Sequence, residues 1–226
     1  LGLFLDTGKE HSFFDEQEEK MIGCIVYGDP IGRHSGASIS ELLDRTEVYE
    51  LARLYIHDGY GSNIESWFIS QSMNWLKTHK PHIKALISYA SPMEGHVGTI
   101  YQATNWIYQG LSTDIALMPN WGISLTKDPH DWIHSRSVFN LWGSGNLEHL
   151  RKEIGKQGYK EFWRREEPPK HRYIQILPQS KKEKKDLVKR LKHKTKPYPK
   201  EASDYNTEVV HHTTYEPDAD REKTFW

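Results

Sequence analysis

The sequence predicts one α/β domain over roughly residues 20–178, built from short buried strands and amphipathic helices. Of the 226 residues, 36% are hydrophobic and 12% aromatic, which is enough to bury one substantial core. Two runs of strand type, at 48–56 and 83–90, flank one stretch with helical periodicity. This strand, helix, strand order is typical of α/β folds.

Turn residues and changes of periodicity give the boundaries of the predicted elements. The first strand stops at Gly28-Asp29-Pro30, Ser62 or Asn63 is expected to cap the first helix, and Pro81 ends that helix. In chain order, the predicted strands are 21–27, 48–56, 83–90, 105–108 and 170–177, and the predicted helices are about 63–79, 96–104 and 146–156.

Charge is unevenly distributed although the net charge is only -1. Residues 1–20 carry six acids and two bases, 180–200 carry ten bases and two acids, and 201–226 carry seven acids and two bases. The predicted organisation is an acidic extension (1–20), a domain (21–178) with an irregular, aromatic-rich insertion (111–167), a basic segment (179–200) and an acidic tail (201–226).

The basic segment has two interpretations. A helix over about 181–192, with Leu187, Val188 and Leu191 on one side, can present lysines to a phosphate backbone. The same lysines can equally be an ordinary solvated face.

Composition excludes several other classes of protein. The single cysteine, Cys24, rules out an internal disulfide and a cysteine-rich zinc module. No apolar run approaches the roughly 20 residues that span a bilayer, so a soluble, cytoplasmic protein without a membrane partner is expected. The 13 histidines include no His-Glu-x-x-His motif, and no metal site is predicted.

Two motifs resemble elements of the GNAT acyltransferases. The run from Glu50 to Ile56 (Glu-Leu-Ala-Arg-Leu-Tyr-Ile) resembles the strand before their cofactor loop. The run from Gly98 to Trp106 (Gly-Thr-Ile-Tyr-Gln-Ala-Thr-Asn-Trp) resembles their last core helix. The resemblance implies a mixed sheet with splayed central strands flanked by helices.

The same resemblance implies acetyl-CoA or a related acyl-CoA as cofactor. Tyr101 would protonate the leaving thiolate, and the first helix would bind the pyrophosphate at its N-terminus. Ile64 departs from the small-residue pattern of the usual phosphate loop. The implied cofactor-binding residues are Leu54, Tyr55, Ile56, Gly61, Ser62, Asn63 and Ser66.

A longer stretch, residues 89–108, resembles the Mom-type phage proteins that modify adenine in DNA. It reads Tyr-Ala-Ser-Pro-Met-Glu-Gly-His-Val-Gly-Thr-Ile-Tyr-Gln-Ala-Thr-Asn-Trp-Ile-Tyr, and the pattern continues at His134-Ser135-Arg136 and at 170–173. This resemblance, over roughly 20–200, implies transfer of a carbamoylmethyl or acyl-type group to adenine N6 in the cytoplasm of an infected bacterium. Double-stranded or locally opened DNA is the implied partner, and iron use has been suggested for the family.

The candidate catalytic residues are Tyr101, His96 and Glu94, of which Glu94 could act as base for the adenine amine. The candidate DNA-contacting residues are Arg33, His34, Ser91, Asn105, Trp106, His134, Arg136, Lys181, Lys182, Lys184 and Lys185. Two alternatives stay open at this point. One is a GNAT acyltransferase acting on a protein or small amine, and the other is a nonenzymatic phage structural or nucleic-acid-binding protein on a degenerate GNAT scaffold.

Overall fold

The computed structural model describes residues 1–5, 20–30, 32–114, 120–128, 130–201 and 207–215. They fall into two compact units. The first unit comprises Leu1–Ala90, His96–Ile115 and Lys170–Ala202, and the second comprises Ser91–Gly95, Ala116–Pro169 and Ser203–Trp226.

Strands and helices alternate along much of the chain. The strands are β1 (Gly2–Leu5), β2 (Lys20–Gly28), β3 (Val48–Ile56), β4 (Ala85–Ala90), β5 (Ile107–Leu111), β6 (Asn120–Ser124), β7 (Ile133–His134), β8 (Glu161–Glu167), β9 (His171–Ile176) and β10 (Val209–Thr213). The helices are α1 (Ser35–Ile39), α2 (Ile64–His79), α3 (Thr99–Ala103), α4 (Ser135–Trp142), α5 (Leu147–Lys156) and α6 (Lys181–Lys189). The predicted mixed α/β class is confirmed.

The first unit is a six-stranded mixed sheet in the order β1-β2-β3-β4-β9-β5. Its parallel pair is β3 with β4, and the paired positions run from Val48↔Ala85 to Glu50↔Ile87. Beyond that point the two strands no longer pair with each other. On its other edge, β3 stays paired with β2 from Glu50 to Ile56. A gap therefore opens between β3 and β4 after Glu50 and Ile87.

Both faces of this sheet are covered by helices, and side chains alternate between them. On one face, Leu86, Ser88 and Ala90 of β4 point toward α2 and α3, where Phe68, Ile69 and Met73 lie in the main core. On the other face, Ile87 and Ile174 pack with Ile39 of α1 and Leu187 of α6. The gap between β3 and β4 is therefore lined by two different sets of side chains.

Helix boundaries differ from the prediction where glycine or asparagine takes a left-handed conformation. Asn63 precedes α2 at φ 66° and forms no side-chain cap, so the predicted capping bond is wrong. α3 is shorter than predicted and begins at Thr99. The preceding residue, Gly98, has a left-handed conformation at φ 80°, so the helix cannot extend further back. On α6, Leu187 is buried but Val188 is 42% exposed, so they do not share a buried side.

The chain after α6 packs along the first unit up to Pro199. The Lys192 N–H donates to the Ile39 carbonyl and the Lys196 N–H to the Tyr108 carbonyl, each at 2.8 Å. The Tyr198 hydroxyl donates to the Trp106 carbonyl at 2.7 Å. The basic segment is therefore anchored by backbone groups and by Tyr198, while Lys181, Lys182, Lys184 and Lys185 of α6 are exposed.

The second unit contains most of the region predicted to be irregular. Its antiparallel sheet has the order β10-β8-β6-β7, and its core includes Trp121, Trp142 and Phe162. The predicted helix at 146–156 is present as α5. β10, within the predicted acidic tail, pairs with β8 from Val209↔Arg165 to Thr213↔Glu161.

In the part of the chain that the structure describes, every helix is too short or too polar to cross a membrane.

Gly155 tests how the C-terminal segment docks in the second unit. A Cβ at Gly155 would lie 2.2 Å from the Tyr215 carbonyl oxygen. Replacing a helical glycine by alanine normally stabilises by about 1 kcal/mol. Here we expect Gly155→Ala to destabilise by about 1 to 2 kcal/mol, because overpacking must displace backbone.

Urea unfolding would measure the change, and hydrogen exchange should show faster exchange of the β10 amides. Lys156→Ala is the control, since Lys156 is exposed on the same helix and forms only a surface ion pair with Glu153. A more stable Gly155→Ala protein would show that the segment does not dock on α5.

Candidate active site

The gap between β3 and β4 is bridged by the side chain of Ser88. Ser88 follows Ile87, the last β4 residue paired in parallel with β3. Its hydroxyl donates to the Leu51 carbonyl at 2.8 Å and lies 2.7 Å from the Tyr101 hydroxyl. Because Ser88 has one proton and gives it to Leu51, the Tyr101 hydroxyl must donate to Ser88 Oγ. A side chain thus replaces the missing backbone pairing and positions a tyrosine at the gap.

Tyr101 is 7% exposed and lies within an aromatic cluster. Its ring centroid is 5.0 Å from that of Trp106 and 5.1 Å from that of Tyr173. Burial raises the pKa of Tyr101, the Ser88 hydrogen bond opposes that rise, and the negative charge of Glu50 adds to it. The hydroxyl therefore stays protonated near neutral pH and can serve as a proton donor.

α3, which carries Tyr101, is fixed against β9 by close contacts. A Cβ at Gly98 would lie 2.4 Å from Tyr173 Cε2, so only glycine fits at the start of the helix. The Tyr173 hydroxyl donates to the Val97 carbonyl, and Gln102 Nε2 donates to the Tyr173 hydroxyl at 3.2 Å. Burial raises the pKa of Tyr173 to about 12. These contacts hold the Tyr101 ring in one place.

A second polar pair lies on the same sheet face. The Tyr108 hydroxyl is 2.8 Å from Nδ1 of His171, and His171 Nε2 is buried without a partner among the described residues. Burial lowers the pKa of His171, so its imidazole is neutral near pH 7.

Sequence reasoning did not identify Ser88, Glu50 or His171 as site residues. Each is a polar residue within a predicted strand, and that was the available signal. Ser88 interrupts the apolar run of β4, and Glu50 lies at the last parallel pair with β4. Which of the polar residues in a strand reach the gap depends on where pairing ends, and the sequence does not show that point.

The start of α2 matches an anion site poorly. Gly61, Ser62 and Asn63 are exposed as a phosphate loop requires, but the Ser66 hydroxyl is used to bond the Asn63 carbonyl at 2.9 Å. Glu65 places a negative charge in the first turn, where the helix dipole would otherwise favour an anion. The half-buried Ile64 adds bulk at the same turn.

The strand gap offers a better match to an acyl donor. Leu54, Tyr55 and Ile56 lie in the part of β3 that β4 leaves unpaired, so one edge of their backbone faces the gap. The structure thus contains the expected gap, but it lacks the usual small-residue cradle for a pyrophosphate.

The other candidates in the first unit lie in different environments. His96 is exposed, and no hydrogen bond among the described residues joins it to Tyr101. Asn105 is exposed at φ 58°, whereas Trp106 is fully buried, so stacking on a base would require the core to open. Arg33 and His34 are exposed immediately before α1. Lys181, Lys182, Lys184 and Lys185 are exposed on α6.

Four candidates belong to the second unit. Ser91 and Glu94 lie at a short 3-10 helix, Pro92–Glu94, and Glu94 is exposed. His134 precedes α4, where its Nδ1 accepts from the Arg136 N–H at 3.2 Å, and Arg136 is exposed. His134 thus has a capping function, and the catalytic or DNA-binding roles of these residues remain predictions.

Among the described residues, no group of three or more His, Cys, Asp or Glu side chains is arranged to hold a metal ion. No residue set is therefore assigned to iron.

Removing the Ser88 hydroxyl and removing the Tyr101 hydroxyl should lower the free energy of unfolding by different amounts. Ser88→Ala would leave two buried groups unpaired, the Leu51 carbonyl and the Tyr101 hydroxyl, at a cost of about 2 to 4 kcal/mol. Tyr101→Phe leaves the Ser88 to Leu51 bond in place and should cost only about 1 kcal/mol.

Urea unfolding of both variants, with Ser70→Ala on α2 as control, would test this ranking. The Ser70 hydroxyl makes only a local bond to the Ser66 carbonyl. Equal losses for Ser88→Ala and Tyr101→Phe would contradict a bridging role for Ser88.

Comparison with known proteins agrees with the resemblance seen in the sequence. The methylcarbamoylase mom of Escherichia phage Mu is 26% identical over 182 residues, which cover 80% of this chain and 68% of that protein. The model of the Mom protein family matches residues 1–200. That match includes Ser88, Tyr101 and the whole gap between β3 and β4, and the chain belongs to the Mom protein family.

Proposed function

We propose that this protein is a phage DNA modification enzyme that transfers an acyl-type group to N6 of adenine and so protects the DNA from host restriction. The observation that carries the proposal is the protonated Tyr101 hydroxyl held by Ser88 at the open gap between two parallel strands, in a chain of the Mom family. Ligands of open α/β sheets commonly bind at such carboxyl ends of strands.

The name of the phage Mu relative favours one form of the transferred group. A methylcarbamoyl group is attached through its carbonyl carbon, whereas a carbamoylmethyl group is attached through a methylene. We therefore propose the acyl-type alternative. In this reaction the adenine nitrogen bonds to the carbonyl carbon, the bond to the leaving group breaks, and the amine loses one proton.

The proposed role of Tyr101 is to donate a proton to the leaving group. Its raised pKa keeps the proton in place until negative charge develops nearby. The adenine amine is a weak nucleophile, so it must be positioned and deprotonated as the bond forms. His96 and Glu94 are the proposed bases.

An acyl-CoA is the donor that the resemblance implies, and it would supply the activated acyl group as a thioester. The backbone of Leu54, Tyr55 and Ile56 is proposed to hold the acyl end at the gap. Because Glu65 and Ile64 disfavour a pyrophosphate at α2, we assign no step to the nucleotide part of the donor.

DNA is the proposed partner, and in duplex DNA the target amine is paired inside the base stack. Such an amine must be flipped out or presented on an opened strand. Four exposed lysines of α6, Lys181, Lys182, Lys184 and Lys185, would contact the phosphate backbone.

The alternatives predict different products. An acyltransferase acting on a protein or small amine would leave DNA unmodified, and a nonenzymatic DNA-binding or structural protein would modify neither. Mass spectrometry of nucleosides from cells that express the protein separates DNA modification from the other two functions. Mass spectrometry of proteins and small amines from the same cells separates those two from each other. A modified deoxyadenosine is expected.

Tyr101→Phe should lower DNA modification by about 100-fold, because general acid catalysis contributes about that much or more, while the protein remains folded. Nucleoside mass spectrometry of DNA treated with purified protein measures the rate. Tyr49→Phe is a suitable control, since Tyr49 lies on β3 at the start of the parallel pairing. A wild-type rate for Tyr101→Phe would show that Tyr101 is only a core residue.

Replacing Lys181, Lys182, Lys184 and Lys185 with glutamine should weaken binding to duplex DNA of any sequence. It should also reduce the slope of log affinity against log salt concentration, because up to about four phosphate contacts are lost. Activity should recover at low salt or high protein concentration, because the catalytic site is unchanged. Binding is measured across a potassium chloride series.

The matched control removes four exposed lysines elsewhere, Lys80, Lys127, Lys152 and Lys160. Neutralising Glu216, Asp218, Asp220 and Glu222, which follow β10 in the sequence, tests whether the acidic tail competes with DNA for the basic segment. If the α6 variant keeps the wild-type affinity and salt slope while the wild type binds normally, the lysines of α6 are only a solvated helix face and do not contact DNA.

A further inference from the structure

Arg172 on β9 is 1% exposed and lies on the sheet face opposite Tyr101. Its Nη2 donates to Ser38 Oγ at 2.8 Å and its Nη1 to the Ser38 carbonyl at 3.4 Å. Burial lowers the pKa of Arg172, and the nearby Tyr89 side chain opposes that change. Ser38 thus holds the guanidinium in a fixed orientation, with Tyr89 beside it.

This buried cation has no anionic partner among the described residues. The ion pairs there do not include Arg172, and its Nε is buried without a hydrogen-bond acceptor. Burial lowers the pKa of Arg172, but arginine remains charged in proteins. A buried charge is normally paired because desolvation is costly, so an unpaired one indicates a site for an anionic ligand.

The surroundings of Arg172 add positive charge and a further unpaired polar atom. Gln109 precedes Gly110, which pairs with Arg172. The Nε2 of Gln109 donates to the His193 carbonyl at 3.2 Å, and the Oε1 of Gln109 is buried without a partner among the described residues. Burial and the nearby charges of Arg172 and Lys192 lower the pKa of His193. Arg172 and Lys192 are thus the positive charges at His193, whereas the negative charge of Glu50 acts on Tyr89 on the other side of the guanidinium.

The guanidinium lies just beneath the surface. Tyr89, which contacts it, is 38% exposed, and Ser38 is half-buried. Arg33 and His34, exposed before α1, precede Ser38 on the same short segment. Tyr89 and Ser38 are thus partly exposed neighbours of the buried guanidinium.

We propose that Arg172 binds one phosphate of the DNA strand, with Ser38 orienting the guanidinium and Tyr89 occupying the phosphate position in the free protein. This inference rests on the proposed function, because it takes DNA as the substrate. A phosphate fits the site because the planar guanidinium can donate two parallel hydrogen bonds to its oxygens. Displacement of the Tyr89 hydroxyl would free the donors for that contact.

Arg172→Met should weaken duplex DNA binding by about 30-fold, the usual loss for a buried charge-assisted contact, and reduce the salt slope by about one. Arg53→Met is the matched control, since Arg53 is exposed on β3 of the same sheet and its Nη1 bonds the neighbouring Ala52 carbonyl. Ser38→Ala, a smaller change, should weaken binding in the same direction. DNA affinities of Arg172→Met and Ser38→Ala that match Arg53→Met would overturn the proposal.

Thermal unfolding separates anion binding from a purely structural role. Removing an unpaired buried charge should leave Tm unchanged or raise it, whereas loss of a structural contact lowers Tm. Inorganic phosphate should raise the wild-type Tm more than chloride at equal ionic strength, and Arg172→Met should abolish that difference. An equal phosphate effect in both proteins would contradict the proposal.

Two further outcomes identify which hypothesis fails. If wild type does not bind DNA but shows the phosphate effect through Arg172, the proposed function fails and so does a DNA phosphate at this site. If Arg172→Met loses the phosphate effect but binds DNA normally, DNA modification survives, the Arg172 site belongs to another anion, and the proposal is wrong.

Tyr89→Phe should bind DNA at least as tightly as wild type, because it removes only the competing hydroxyl.

Discussion

The parting of β3 and β4 after Glu50 and Ile87 is the constraint on which the candidate site depends. Where two parallel strands separate, backbone groups lose their partners and must be satisfied in another way. Here the Ser88 hydroxyl bonds the Leu51 carbonyl, and Tyr101 completes the chain of hydrogen bonds. The same two hydroxyls that stabilise an open sheet therefore place a protonated phenol beside the opening.

The fold was largely readable from local pattern, while the site was only partly so. β3 was predicted with its observed bounds because apolar residues and turn signals are local features, and α2 followed from its single amphipathic stripe. Tyr101 became a candidate through family resemblance, and its catalytic role stays a prediction. Ser88 was missed because its importance arises from the point at which strand pairing ends, which is a property of tertiary structure.

The region at 111–167 shows a different limit of sequence reasoning. Its strands are short, and β7 has only two residues, so no periodicity develops along any one of them. Their stability comes from distant partners: Trp121, Trp142 and Phe162 share one core, and β8 is completed on one edge by β10, about 45 residues later in the chain. Non-local pairing of this kind leaves little trace in local composition.

β9 places two unusual buried residues side by side, and alternation sends them to opposite faces of one sheet. His171 lies on the Tyr101 face, where burial makes it neutral, whereas Arg172 lies on the other face and keeps its charge. Burial raises the pKa of both Tyr101 and Tyr89, and the negative charge of Glu50, at the edge of the gap, adds to both rises. A strand that carried only packing residues would not need polar groups on both sides. In the proposed function, the reacting atoms lie on the Tyr101 side of this sheet, and the polar groups on its other side are left for contacts with the rest of the substrate.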